Sequence, residues 1–330
     1  MNAGIVGMGT YVPEGVLTNA DLENMVDVTN DWIIERTGIR ERRIAEPEQA
    51  TSDLAVIAGE RALADAGVDP LEVDLIVVCT NTADMTFPAT ACLVQERLGA
   101  RKAAAFDLVA GCTGFVYGVG LSSQFIAAGA YRTVLVIGAE TLSRVINYQD
   151  RNICVLFGDG AGAAVLRPVA NGSGILAFRL WADGAGAPFL VLPAGGSRMP
   201  ASQETVDKKL HYATMNGREI FKFAVRTLGE AALEVLTAAG FNQSDIDFLV
   251  PHQANIRIIE AAARRLNLPM EKVMVNIDRY GNTSTASIPM ALYEALQEGR
   301  IKGGDLIVIV SFGTGLTWGA LVIKWPDGKN

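Results

Sequence analysis

The chain has 330 residues, 50% of them hydrophobic and 7% aromatic, with four cysteines, two histidines and a formal net charge of −8. Length and composition fit a compact α/β protein, and the acidic balance argues against a general nucleic-acid binder. Cys79, Cys92, Cys112 and Cys154 form no C-x-x-C pair and no His-rich cluster, which argues against a metal site and against a disulfide framework.

The opening, MNAGIVGMGTYVPEG, has no basic region before its short apolar run, so no leader is expected, and it reads as a first strand and turn. Its Gly7-x-Gly9 has Val12 where a dinucleotide fingerprint needs a third glycine. Next come a helix over TSDLAVIAGERALADAG, strands over VDLIVVC and AAAFDLV, a helix after Gly111, and a strand over RTVLVIGA. FGDGAGAAVL has no helix pattern behind it, so it reads as a tight turn between strands rather than a phosphate loop, with GAAVLRP as the strand that follows. REIFKFAVRTLGEAALEVLTAAG and NIRIIEAAARRL read as helices, and IDFLVP, KVMVNI and DLIVIVS as strands. This alternation predicts parallel sheets covered by helices. No apolar run approaches the roughly 20 residues of a membrane helix, so a cytoplasmic protein with no membrane partner is expected.

The chain also repeats itself. RALADAGVDPLEVDLIVVCT (61–80) lies over EVLTAAGFNQSDIDFLVPHQ (234–253) without a gap, and Gly111-Cys112-Thr113 lies over Gly281-Asn282-Thr283. A duplicated fold is expected, with halves 1–170 and 171–330 meeting near NGSG; two unrelated α/β units are the alternative. Duplication puts Cys112 opposite Asn282 and Cys79 opposite His252. Packing about a pseudo-twofold axis gathers Cys112, His252 and Asn282 at one site.

The junction AFDLVAGCTGF places Cys112 where a strand-like run gives way to a helix. In a first helical turn the unpaired N–H groups and the dipole favour an anion, which lowers a thiol's pKa and activates it as a nucleophile. On this stretch alone a small core cysteine is an equal reading. Cys79, Cys92 and Cys154 lie in apolar segments and are expected in the core. Of the two histidines, His211 sits among lysines and is expected in solvent. His252 follows IDFLVP at a strand's C-terminal end, where α/β sheets carry their sites. A neutral imidazole N–H beside the Asn282 amide gives two uncharged donors suited to an oxyanion or enolate oxygen.

With AGCTGF, PHQANIRI and GNTSTASIP go GIVGMGTYVP, DWIIERTGIRERR, FGDGAGA, NGREIFKFAV and SFGTGLTWGA, in that family's order over essentially the whole chain. Together they resemble the β-ketoacyl-acyl carrier protein synthase III family, initiating condensing enzymes of bacterial fatty acid synthesis with the thiolase fold. The resemblance implies a layered α-β-α-β-α arrangement of two α/β halves and a homodimer. It implies decarboxylative condensation of a short acyl-coenzyme A with malonyl-acyl carrier protein, with no cofactor or metal, because loss of carbon dioxide generates the carbanion.

It further implies that Cys112 is acylated, that His252 and Asn282 hold the malonyl thioester carbonyl, and that Phe312 gates decarboxylation. The backbone N–H in Gly313-Thr314-Gly315, with that of Cys112, is implied as an oxyanion hole; many members carry three glycines there. Trp32 and Arg151 are implied to sandwich the coenzyme A adenine, with Arg36, Thr37 and Asn255 along the rest of the cofactor-sized substrate. Phe87 is implied to reach into the partner subunit's acyl pocket. The acidic carrier protein needs a basic patch, and Lys222, Arg257, Arg264 and Arg265 on two expected helices supply candidates; spacing alone reads equally as a solvated face.

A related ketosynthase of secondary metabolism, with another primer or with malonyl-coenzyme A, is the alternative. A thiolase needs a second cysteine near the C-terminus, and none lies beyond Cys154. A hydroxymethylglutaryl-type synthase needs a catalytic Glu. A non-catalytic acyl-binding subunit is disfavoured by the presence of Cys112.

Overall fold

The computed structural model describes residues 2–170 and 172–327; Asn171, where the halves are expected to meet, lies outside them. The first sheet contains β1 (Asn2–Tyr11), β2 (Leu75–Cys79), β3 (Ala104–Leu108), β4 (Val134–Glu140) and β5 (Gly160–Val169), in the order β1-β5-β4-β2-β3. The second contains β6 (Gly174–Ala182), β7 (Phe248–Pro251), β8 (Leu306–Gly313) and β9 (Thr317–Lys324), in the order β7-β8-β9-β6. In the first, β2 runs parallel to β3 and β4, while β5 is antiparallel to β4 and β1. In the second, β7 is parallel to β8, and β9 is antiparallel to β8 and β6. The second sheet thus repeats the order and direction of β2-β4-β5-β1.

Every residue of β2 and of β8 is buried. Unbroken apolar runs of this kind belong to strands covered on both faces. Helices α1 (Asn30–Thr37), α2 (Thr51–Ala66), α3 (Thr90–Leu98), α4 (Gly114–Ala127), α5 (Gly217–Ala238), α6 (Ile256–Arg265) and α7 (Ser287–Gln297) provide the cover. One core joins Phe115 and Val119 of α4 and Ile288 and Leu292 of α7 to Val77 and Val136 of one sheet and Val250 and Ile309 of the other. Those two helices therefore lie between the sheets. Helices α2 and α3 pack on the far face of the first sheet, α5 and α6 on the far face of the second. The result is five layers, α-β-α-β-α.

The central layer is tight because α4 carries glycines where it meets the sheet: a Cβ on Gly118 would lie 2.7 Å from the Cys79 sulfur.

Four expectations are corrected. KVMVNI is not a strand; it makes one bridge, Leu249 to Val273, between a short 3-10 helix that ends at Lys272 and a helix that starts at Ile277. Strands β6 and β9, absent from the expected set, complete the second sheet. Cys79 and Cys154 are buried, but Cys92 is exposed, because it sits on the outer side of α3. His211 is half-buried, its ring bonded to the Thr205 hydroxyl at 2.9 Å rather than solvated. Among the described residues no helix is long and apolar enough to cross a membrane, and no cluster of three or more His, Cys, Asp or Glu could hold a metal ion.

Candidate active site

Cys112 is presented by a turn that only glycine can make. Gly111 has φ +57°, and a Cβ on it would lie 2.6 Å from the Thr314 backbone nitrogen; a Cβ on Gly313 would lie 2.4 Å from the Cys112 nitrogen. The end of β3 and the end of β8 thus meet backbone to backbone. Ser311 locks them by donating its hydroxyl to the Cys112 carbonyl at 3.0 Å.

Helix α4 begins at Gly114 with Thr113 as its cap, so Cys112 stands just before the helix and not in its first turn. Burial pushes the thiol up to about 12, with the Ser284 hydroxyl opposing and the Glu140 carboxylate adding to the rise. The expected lowering of this thiol's pKa is therefore corrected: in the resting chain Cys112 carries its proton.

His252 follows β7 directly. Its N–H donates to the Val310 carbonyl at 2.9 Å, its ring meets Phe312 edge-on at 5.5 Å, and it is 1% exposed. Ring Nδ1 lies 3.0 Å from the Ser287 hydroxyl, whose oxygen accepts the Gln253 N–H at 2.7 Å. When Ser287 gives its proton to Nδ1, the imidazole hydrogen sits on Nε2. Burial lowers the His252 pKa to about 3, so the ring is neutral at pH 7.

Asn282 follows Gly281, at φ +64°, in a short loop clamped to residues 156–158. Its N–H donates to the Leu156 carbonyl at 2.8 Å, and its carbonyl accepts from Gly158 N–H at 3.1 Å. The side-chain oxygen accepts from Ser284 N–H at 2.9 Å, which leaves the NH2 group as the outward donor.

Two cavities meet at the cysteine. The larger, about 710 Å³, is lined by Cys112, His252, Asn282 and Phe312 at its inner end and by Trp32 and Arg36 near its mouth. The smaller, about 310 Å³, is walled chiefly by Leu142, Val145, Ile146 and Leu192. Cys112, Phe157, Leu190 and Thr314 line both. Thr314 donates its hydroxyl to the Leu190 carbonyl at 2.5 Å, tying the β8 loop to the wall between them.

The outer residues divide. Trp32, Arg36, Thr37, Asn255 and Arg257 line the larger cavity, but Arg151 does not. The Arg36 guanidinium lies 4.7 Å from the Trp32 ring and that of Arg151 5.9 Å, with Arg151 also bonded to Asp27. Two of the polar side chains are already engaged: Thr37 donates to the Ile33 carbonyl at 2.6 Å, and Asn255 caps α6 and donates to the Arg36 carbonyl at 2.8 Å. Phe87 is 82% exposed and lines neither cavity of its own chain. Lys222 pairs with Glu219 and Arg264 with Glu260, both in solvent. Arg257 stands over the Phe221 ring, and the Arg265 stem fills the space above Gly229 on α5.

Sequence reasoning missed Ser287, which orients His252, and Ser284 and Glu140 behind Cys112. Both serines lie within GNTSTASIP, yet serine beside threonine carries no distinctive signal. Glu140 had one: it is the lone acid ending an otherwise apolar strand.

Residues 106–188 match the family model described as 3-oxoacyl-[acyl-carrier-protein] synthase III, and residues 236–325 match that of its C-terminal part. The chain is 60% identical to the beta-ketoacyl-[acyl-carrier-protein] synthase III of Caldanaerobacter subterraneus subsp. tengcongensis, over 98% of both proteins. It is 61% identical to the protein of the same name from Symbiobacterium thermophilum, again over 98% of both. The crystal structure of 3-oxoacyl-[acyl-carrier-protein] synthase III from Aquifex aeolicus is 47% identical, with a TM-score of 0.91 over 98% of this chain and 100% of that one. With half the chain under those two models and near-complete relatives at such identity, the chain belongs to the 3-oxoacyl-[acyl-carrier-protein] synthase III family.

Proposed function

We propose that this acyltransferase joins a short acyl primer from acyl-coenzyme A to malonyl-acyl carrier protein, through an acyl-Cys112 intermediate, to start fatty acid synthesis. Carbon dioxide is lost and a 3-ketoacyl-acyl carrier protein is formed. The observation that carries this reading is the meeting of two cavities at the Cys112 sulfur. The narrow apolar one suits the acyl chain, and the long one, opening past Trp32 and Arg36, suits a pantetheine arm.

In the first stage the Cys112 sulfur attacks the primer thioester and free coenzyme A leaves. The Cys112 and Thr314 backbone N–H groups are assigned to the oxyanion of that step; the Thr314 side chain is turned to Leu190 and leaves its own N–H in place. In the second stage the malonyl thioester carbonyl lies between His252 Nε2–H and the Asn282 NH2. As carbon dioxide departs, negative charge grows on that oxygen, and the carbanion attacks the acyl-cysteine carbonyl. Neutral donors serve here because the charge exists only during the reaction, and each contributes about 3 kcal/mol. Phe312, packed on the imidazole, is assigned to shield the decarboxylating group from water.

Trp32, Arg36, Thr37 and Asn255 are assigned to coenzyme A, with Arg151 at the outer edge. Lys222, Arg257, Arg264 and Arg265 are assigned to the carrier protein, and Phe87 to the acyl pocket of a second copy in a homodimer. The same reading has two repeated halves, 1–170 and 171–330, acting in the cytoplasm without metal or other cofactor. The matching strand order of the two sheets supports the halves. A secondary-metabolism ketosynthase is not favoured, since the relatives at 60% and 61% identity bear the other name.

Product analysis tests the assignment. With acetyl-coenzyme A, malonyl-acyl carrier protein should give the 3-ketoacyl carrier protein, and malonyl-coenzyme A little product. The reverse preference would restore the alternative.

A further inference from the structure

The smaller cavity has one side that cannot yield and one that can. Leu142 and Ile146 are buried and pack in a core with Ile153 and Val155. Val191 and Leu192 also line it, but they are 39% and 43% exposed, so solvent rather than core stands behind them. They follow Leu190, which the two cavities share. Little backbone holds this stretch: Leu190 and Val191 pair with Met215 and Thr214 in a ladder two residues long. Local opening starts in segments so thinly held.

The Leu190 carbonyl lies off that ladder. Asn216 N–H donates to the Phe189 carbonyl at 2.7 Å, so Leu190 and Met215 face each other without exchanging bonds. The Leu190 carbonyl instead accepts the Thr314 hydroxyl at 2.5 Å. The donor end of this bond is fixed. A Cβ on Gly111 would lie 2.6 Å from the Thr314 nitrogen and 2.9 Å from its Cγ2, so the threonine is wedged against the turn that carries Cys112. One hydroxyl thus fastens the yielding side of the cavity to the rigid frame around the sulfur.

We propose that Thr314 is a positioning residue for primer selection: its hydroxyl, through the Leu190 carbonyl, holds the 190–192 wall in place and keeps longer acyl chains out. The proposal rests on the acyl-Cys112 reading above. An acetyl group adds two carbons to the sulfur and leaves the wall where it is. A longer chain must push residues 190–192 towards solvent and break the bond. Discrimination is a difference between primers, and one hydrogen bond is worth about tenfold in their ratio. The Thr314 N–H assigned to the oxyanion serves every primer alike, so a disturbance there cancels from that ratio.

A competition between primers tests this. Wild type, Thr314→Val and Thr314→Ser would each meet equal, excess concentrations of acetyl- and hexanoyl-coenzyme A, and intact-protein mass spectrometry would count the two acyl-enzyme masses at early times. Both adducts form on the same folded molecules, so partial loss of folded protein leaves their ratio unchanged. Valine keeps the shape and removes the hydroxyl; serine keeps the hydroxyl and removes the methyl. The hexanoyl-to-acetyl ratio should rise about tenfold in Thr314→Val and stay within about threefold of wild type in Thr314→Ser. A rise of less than about threefold in Thr314→Val, or an equal rise in Thr314→Ser, overturns the proposal. Failure of wild type to be acylated by either thioester would instead sink the reading of function.

Discussion

At the scale of single residues the site works by keeping charge out until chemistry creates it. His252 ordinarily titrates near 6.5, but burial holds it to about 3 in the fold. Between those values the unfolded chain binds a proton that the folded chain refuses. Stability is therefore complete above about pH 6.5 and falls below it, by up to about 1.4 kcal/mol per pH unit. Urea unfolding at pH 5, 6 and 7 should show that slope, and His252→Gln should flatten it; an unchanged slope in the variant would assign it to other groups. The donor also stays intact, so single-turnover condensation from acyl-enzyme should be nearly flat from pH 5 to 8, and a titration near 6.5 would contradict a neutral imidazole. His252→Ala and Asn282→Ala should each lower that rate about 100- to 1,000-fold while Cys112 still takes up the acyl group.

The rare residue types were legible because scarcity made the search short. Two histidines and four cysteines leave few pairings, and duplication aligned Cys112 with Asn282. Ser284, Ser287 and Glu140 were not legible, because their meaning lies in what the fold places next to them. The thiol pKa was misjudged for a related reason: sequence locates the helix start, but the depth of burial comes from the β8 loop about 200 residues away.

At the scale of elements, α4 is a central helix because its glycines let the sheet come close. Gly118→Ala improves helix propensity by about 1 kcal/mol. The new methyl would stand 2.7 Å from the Cys79 sulfur and 3.0 Å from Val136 Cγ1, and overpacking of this kind costs about 1–3 kcal/mol. Packing wins, so the variant should be less stable by about 1–2 kcal/mol in urea unfolding. Adding Cys79→Ala should recover part of that loss; a stabilised Gly118→Ala would mean the contact is slack. The long periodic helices α2, α5 and α6 and the apolar runs β2, β4 and β8 were readable from pattern. KVMVNI carried the same apolar signal as a strand, but only Val273 finds a bridge, so tertiary pairing overrode propensity. Strands β6 and β9 mix tryptophan, glycine and charge, and their faces become apparent only once both sheets are assembled.

At the scale of the whole molecule, the two sheets repeat one order of strands, and their ends deliver Cys112 from one and His252 from the other into a shared cavity. A net charge of −8 opposes an acidic carrier protein, so docking must depend on local cations. Arg264 is 70% exposed at its side chain, and its pair with Glu260 at 3.7 Å is weak. Arg264→Glu should raise the KM for malonyl-acyl carrier protein several-fold at low salt, less at high salt, and leave Cys112 acylation unchanged. Equal effects on both stages would place this arginine outside the docking surface.

The central claim is that one sulfur, at the junction of the two cavities, carries the acyl group between substrates. Intact-protein mass spectrometry with peptide mapping tests it most directly. After incubation with acetyl-coenzyme A, wild type should gain one acetyl mass on the peptide containing Cys112, Cys112→Ala should gain none, and malonyl-acyl carrier protein should then remove it. An acetyl group found elsewhere, or one on Cys112 that malonyl-acyl carrier protein leaves in place, would contradict the account.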